Sequence, residues 1–185
     1  MFKPFVSLAF ALLFAQGAFA GETPIREFPL PGHGALAIAV PDAWQVDVEQ
    51  PGNDLPPTLK FTAKTGPAFE FYLTPLWPMD GKAPPLDAAS LHKQVADAAE
   101  TLKPQSVEKT IETKSLKGAG AVGYYFSATD RAPKPGEYKY VTQGILPVGE
   151  LATTFTILSN DGSEAVVKTA LLLLRGATQK KTATP

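Results

Sequence analysis

Apolar and polar side chains alternate with period two along most of this chain, and two stretches break that rhythm with helical spacing. Leu36, Ile38 and Val40 fall on one face of a predicted strand, with Ala35, Ala37 and Ala39 on the other. Two apolar faces predict a strand covered on both sides. After the Pro41-Asp42 turn, Trp44, Val46 and Val48 alternate with Gln45, Asp47 and Glu49, the pattern of a half-exposed strand. Leu59, Phe61 and Ala63 alternate with Lys60, Thr62 and Lys64; Gly66-Pro67 turns the chain; Phe69, Phe71 and Leu73 then alternate with Glu70, Tyr72 and Thr74. These two runs predict a hairpin.

A proline-rich loop from Pro75 to Leu86, carrying Trp77 and Met79, leads to Asp87, a predicted helix N-cap. Ala88, Leu91, Val95, Ala98 and Leu102 recur at helical spacing, and Pro104 stops the helix. Four more strands are predicted over Val107 to Lys114, Ala119 to Thr129, Tyr138 to Leu146 and Leu151 to Ser159. A closing helix starts near Asn160-Asp161-Gly162-Ser163 and ends at Arg175 before Gly176. The order ββββ-α-ββββ-α, with its strands in consecutive runs, predicts an α+β fold in which an antiparallel β-sheet is covered by helices. One domain over 35–176 is expected, preceded by an N-terminal arm at 21–34 rich in proline and glycine and followed by a disordered tail at 177–185.

The first 20 residues have a different character. Lys3, an apolar run of about 15 residues from Phe5 to Phe19, and small Ala18 and Ala20 have the order of a secretory signal peptide cleaved after Ala20. The run is shorter than the roughly 20 residues that a membrane-crossing helix needs. The expectation is a soluble periplasmic or secreted protein with no stable membrane insertion after cleavage. The chain has no cysteine, which excludes disulfides, thiolate metal sites and a lipid-bearing cysteine. Without Lys3, 16 basic side chains face 18 acidic ones with no block of one sign, and nothing predicts nucleic acid as a partner.

Candidate chemistry is sparse. His33 and His92 are the two histidines, too few for a histidine metal cluster. No Gly-x-Ser-x-Gly turn is present, and Asp161-Gly162-Ser163-Glu164 reads as a helix cap. Gly118, Gly120 and Gly123 lack dinucleotide-loop spacing and predict a turn or bulge beside a tightly packed strand. No catalytic residue, metal or cofactor is predicted. The aromatic positions are more informative: Trp77, Tyr138 and Tyr140, with Arg131 as polar partner near the Asp130 to Glu137 loop, form the expected interaction surface.

The Val40-Pro41-Asp42-Ala43-Trp44 turn, the hairpin, the helix, the strand meander and the closing helix together make the chain resemble the PsbP-like fold. That resemblance implies an antiparallel sheet sandwiched by helices. It also implies a role like that of family members named for photosystem II or Ran-dependent import, which are accessory binding proteins. The leading expectation is an exported accessory protein of the cell envelope, without catalytic activity, that binds another protein or an envelope component. Two alternatives stand beside it. One is a carrier of a small apolar ligand, with Phe61, Phe69, Phe71 and Tyr124 lining a cavity; the other is an envelope hydrolase using convergent acids such as Asp42, Asp47 or Asp130.

Overall fold

The computed structural model describes residues 23–52, 54–78 and 86–181. The predicted signal peptide, Met79 and the end of the tail lie outside them. In chain order the strands are β1 (Ile25–Leu30), β2 (Gly34–Ala39), β3 (Trp44–Glu49), β4 (Thr58–Ala63) and β5 (Phe69–Leu76). Helix α1 (Ala88–Leu102) and a 3-10 turn at Lys103–Gln105 follow. Then come β6 (Lys114–Lys117), β7 (Val122–Thr129), β8 (Tyr140–Val148), β9 (Leu151–Ser159), helix α2 (Glu164–Gly176) and β10 (Thr178–Lys180). Seven strands form one antiparallel sheet in the order β3-β4-β5-β9-β8-β7-β6, and three form another in the order β1-β2-β10.

This corrects the expected α+β class: the described residues form a β-rich fold of two antiparallel sheets with two α-helices. The difference lies at the ends of the chain. The expected arm contains β1, which pairs with β2 from Ile25↔Ala39 to Leu30↔Gly34. Pro29 is tolerated because β1 is an edge strand, where a missing N–H costs no central ladder bond. The expected tail contains β10, which pairs with β2 through Thr178↔Ala37 and Lys180↔Ala35. Three residues carry too little periodicity to announce a strand whose partner is far away in sequence. The expected strand at Val107 to Lys114 is also displaced: 107–113 is irregular, and β6 takes up only Lys114–Lys117.

Period two places the residues of the large sheet. Trp44, Phe61, Phe71, Ile157 and Phe155 point to one side, where Phe28, Leu30, Leu36 and Ile38 of the small sheet and Leu173 and Leu174 of α2 meet them. Phe61 and Phe71 stack at 4.9 Å, Trp44 lies 4.7 Å from Phe69, and Phe28 meets Phe61 edge-on at 6.3 Å. These contacts join the two sheets. The opposite side of the large sheet carries a smaller core, in which Val95 and Ala99 of α1 pack on Ile111, Phe126 and Ala128.

The helix starts were legible in part. Asp87 caps α1, accepting a hydrogen bond from the Ser90 N–H at 2.9 Å. Ser163 occupies the cap position of α2 but makes no side-chain cap bond, and its Oγ is buried with no partner among the described residues. The expected close approach at Gly123 is present: a Cβ there would meet the Ile145 carbonyl oxygen at 2.2 Å. Gly144 on the next strand is equally tight, its Cβ position lying 2.3 Å from the Tyr124 oxygen.

Phe61 is 1% exposed at the junction of the two sheets. Phe61→Ala is therefore expected to lower the unfolding free energy by about 3–5 kcal/mol, measured by urea denaturation. A loss under about 1 kcal/mol would mean that the two sheets do not share this core.

Candidate functional site

Because α1 lies over β7 and β8, it covers only part of its side of the large sheet. Among the described residues no helix packs over the same side of β9, β5, β4 and β3. That half exposes Thr154, Thr156 and Leu158 of β9, then Glu70, Tyr72 and Thr74 of β5, then Thr58, Lys60 and Thr62 of β4, all partly accessible. A groove runs along the step between the helix and this open face. Its helix wall is formed by Gln94, Ala98 and Leu102, at successive i, i+4 positions, followed by Gln105. This wall is uncharged. The charges of α1 close on one another elsewhere, Lys93 with Asp97 at 2.6 Å and Glu100 with Lys103 at 3.1 Å.

The groove deepens at two places. The larger recess, about 230 Å3, is floored by Val141, Leu158 and Ala128 and bordered by Leu102, Gln105 and Tyr138. The smaller, about 90 Å3, lies among Val95, Ala98, Phe126 and Ile145. Gln143, exposed on β8, borders both.

A hydrogen-bonded knot holds the end of the larger recess. Glu108 accepts from the Thr129 N–H at 2.9 Å, from the Thr129 hydroxyl at 2.7 Å and from the Ser106 hydroxyl. Arg131 donates through Nη2 to the Ser106 carbonyl at 2.7 Å and through its backbone N–H to Gln105 at 2.9 Å. Burial acts to raise the Glu108 carboxyl, but the hydrogen bonds from Ser106 and Thr129 outweigh it and hold the group at about 2. Across the open face, Glu70 bridges Lys60 Nζ at 2.8 Å and the Tyr72 hydroxyl at 2.7 Å. The Lys60 bond lowers the Glu70 carboxyl, and the Glu70 bond raises both Lys60 and Tyr72. Tyr138 is raised by burial and then by the charge of Glu70.

The structure divides the expected interaction surface. Tyr138 lines the larger recess, and Arg131 braces two of the residues that border it. Tyr140 pairs with Ser159 on the other face, and its hydroxyl bonds Asp161. Trp77 is 6% exposed within the large core and stacks on His33 at 4.5 Å. It follows Leu76, whose partner is Ala152, so roughly 23 Å of β9 separates it from the Ser159 end. Trp77 is therefore a packing residue and no part of the surface. Its indole is turned inward, where the His33 ring is available as a partner.

The other candidates are also placed. Phe61, Phe69 and Phe71 fill a solid core and line no ligand cavity. Tyr124 packs against the ring of His92 at 4.9 Å, and His92 bonds the Thr113 hydroxyl at 2.8 Å. Asp47 on β3 and Asp130 beyond β7 lie five strands apart, roughly 24 Å, too far to share one scissile bond. Asp42 is exposed in the turn before β3. Among the described residues no group of three potential metal ligands occurs.

Reading the sequence alone missed Gln94, Gln105 and Gln143. The available signal was the uncharged run Gln94, Ala98, Leu102 on a helix otherwise rich in charge. No known protein family matches the chain, and no curated protein matches its sequence.

The Glu108 carboxylate is held below its ordinary value of 4.5. Its stabilising contribution is thus complete above about pH 4.5 and is lost as pH falls toward about 2. Glu108→Ala is expected to cost about 1–3 kcal/mol at pH 7, because it strands the part-buried N–H of Thr129. Urea unfolding of both proteins between pH 7 and pH 2.5 should show the difference shrinking on acidification; a gap of constant size would remove Glu108 from the acid dependence.

Proposed function

We propose that this chain is an exported accessory protein of the cell envelope that acts by binding, not by catalysis, and that the groove beside α1 is where it holds its partner. The observation that carries this reading is the topology of the large sheet, which leaves half of one face open next to a recess of about 230 Å3 with a mainly apolar lining. Concave apolar sites rimmed by a few polar groups are the usual form of a binding site. The internally closed Lys60-Glu70-Tyr72 network favours the same reading, since its charges are already satisfied within the protein. Export rests on the signal-like segment at 1–20, and the resemblance to PsbP-like proteins bears on the accessory binding role alone.

Two measurements test the proposal. N-terminal sequencing of the protein recovered from its native cell should begin at Gly21; a chain starting at Met1 would remove export. A photo-crosslinking side chain at Gln143 should give one discrete adduct in the envelope, while the same group at exposed Lys168 on α2 should not. Equal labelling from both positions would remove the groove as the binding site.

A further inference from the structure

Six glutamines lie among the described residues. Three are engaged by their side chains: Gln45 donates to Asp47 at 3.2 Å, Gln50 to the Leu55 carbonyl at 2.7 Å, and Gln179 to the His33 carbonyl at 3.0 Å. The side chains of the other three, Gln94, Gln105 and Gln143, make no hydrogen bond to the described residues, and all three line the groove. Each leaves an amide oxygen and two N–H donors for an incoming group.

The two recesses lie on either side of Gln143. Their β8 floor residues are Val141 and Ile145, four residues apart, or about 13 Å along a strand. An extended chain laid beside β8 has the same repeat, so its side chains at i and i+4 would enter the two recesses. The residue between them, at i+2, also faces Gln143, and where it is small the long glutamine side chain can reach past it to donate to a neighbouring peptide carbonyl and accept from an N–H. A continuous hydrocarbon chain would cover that amide without offering it a partner, which is unfavourable.

Charge narrows the occupant further. The helix wall is uncharged, Lys60 and Glu70 across the open face neutralise each other at 2.8 Å, and at the end of the larger recess Lys139 pairs with Asp161 at 3.0 Å, which leaves Asp130 as a lining carboxylate with no salt bridge among the described residues. An acidic side chain entering this groove would give up water and gain no counter-ion.

We infer that the groove binds an extended peptide segment of a partner protein that carries no acidic side chain, with apolar side chains four residues apart seated in the two recesses and its backbone held by Gln94, Gln105 and Gln143. This inference rests on the binding role proposed above and names the chemistry of the partner.

The test is a nuclear magnetic resonance titration of the isotope-labelled mature chain with defined probes. Three are heptapeptides of Gly, Ser and Thr: one with Leu at positions 2 and 6, one with Leu at positions 2 and 3, and one with Leu at 2 and 6 and Asp at 4. Decanoate is the fourth probe. The 2,6 peptide should shift the side-chain amide signals of the three glutamines saturably and bind at least tenfold more tightly than the other probes. Gln143→Met should weaken it at least tenfold, with an unchanged urea midpoint showing that the fold is intact. Equal binding of the 2,3 peptide, tighter binding of decanoate, or no saturable shift at the glutamines would overturn the inference. A discrete crosslink from Gln143 together with silent peptides would leave the accessory role standing and remove the peptide chemistry alone.

Discussion

The pairing of β5 with β9, which runs without a break from Phe69↔Ser159 to Leu76↔Ala152, is the constraint from which the rest of this structure follows. It joins a meander from the first half of the chain, β3-β4-β5, to one from the second half, β9-β8-β7-β6, in a single sheet. Since β9 must lie beside β5, the chain leaving β5 has to reach the far edge of the sheet before it can return strand by strand. Helix α1 makes that crossing, and the part of the sheet it covers is β7 and β8, the strands added after it. Among the described residues the same route leaves β5, β4 and β3 without a helix on that side. The open half-face and the groove are thus consequences of strand order, and no separate feature of the loops is needed to create them.

The two faces of the large sheet are stabilised by different means. One is closed by the small sheet and α2, and aromatic side chains fill the space between them. Removing any of those rings leaves a cavity that a packed interior cannot easily collapse. The other is held partly by the α1 core and partly by polar groups that satisfy one another. Glu108 ties the segment after α1 to the end of β7, and Glu70 ties β4 to β5. Both carboxylates are favoured in their charged form by the hydrogen bonds they receive. The polar surface is therefore largely preorganised, and the glutamines on the groove remain as its unengaged donors and acceptors.

This division bears on function. A groove with few open charges and free amides is suited to select by shape and backbone hydrogen bonding more than by long-range electrostatic attraction. Its walls come from secondary structure, α1 on one side and strands on the other, so its spacing is held by the sheet. Rigid elements of this kind reduce the ordering cost that a partner must overcome. The accessory role proposed above, in which one segment of another protein is held against the open face, draws on this rigidity.

Local sequence was sufficient wherever the deciding interaction was local. The alternation through Leu59 to Thr74 specified the β4–β5 hairpin, Asp87 specified the start of α1, and the phenylalanines on one parity specified a core face, because each depends on neighbours a few residues away. The site was legible in part: Tyr138 and Arg131 stand at the larger recess, whereas Trp77 turned inward and Tyr140 lies on the other face. What only the tertiary structure decided was which faces are covered, and by what. Period two shows that a strand has two different sides, but coverage depends on partners far away in the chain. For β10 the partner is β2, and for β5 it is β9. The three unengaged glutamines form one surface only because those distant pairings bring α1 and β8 together.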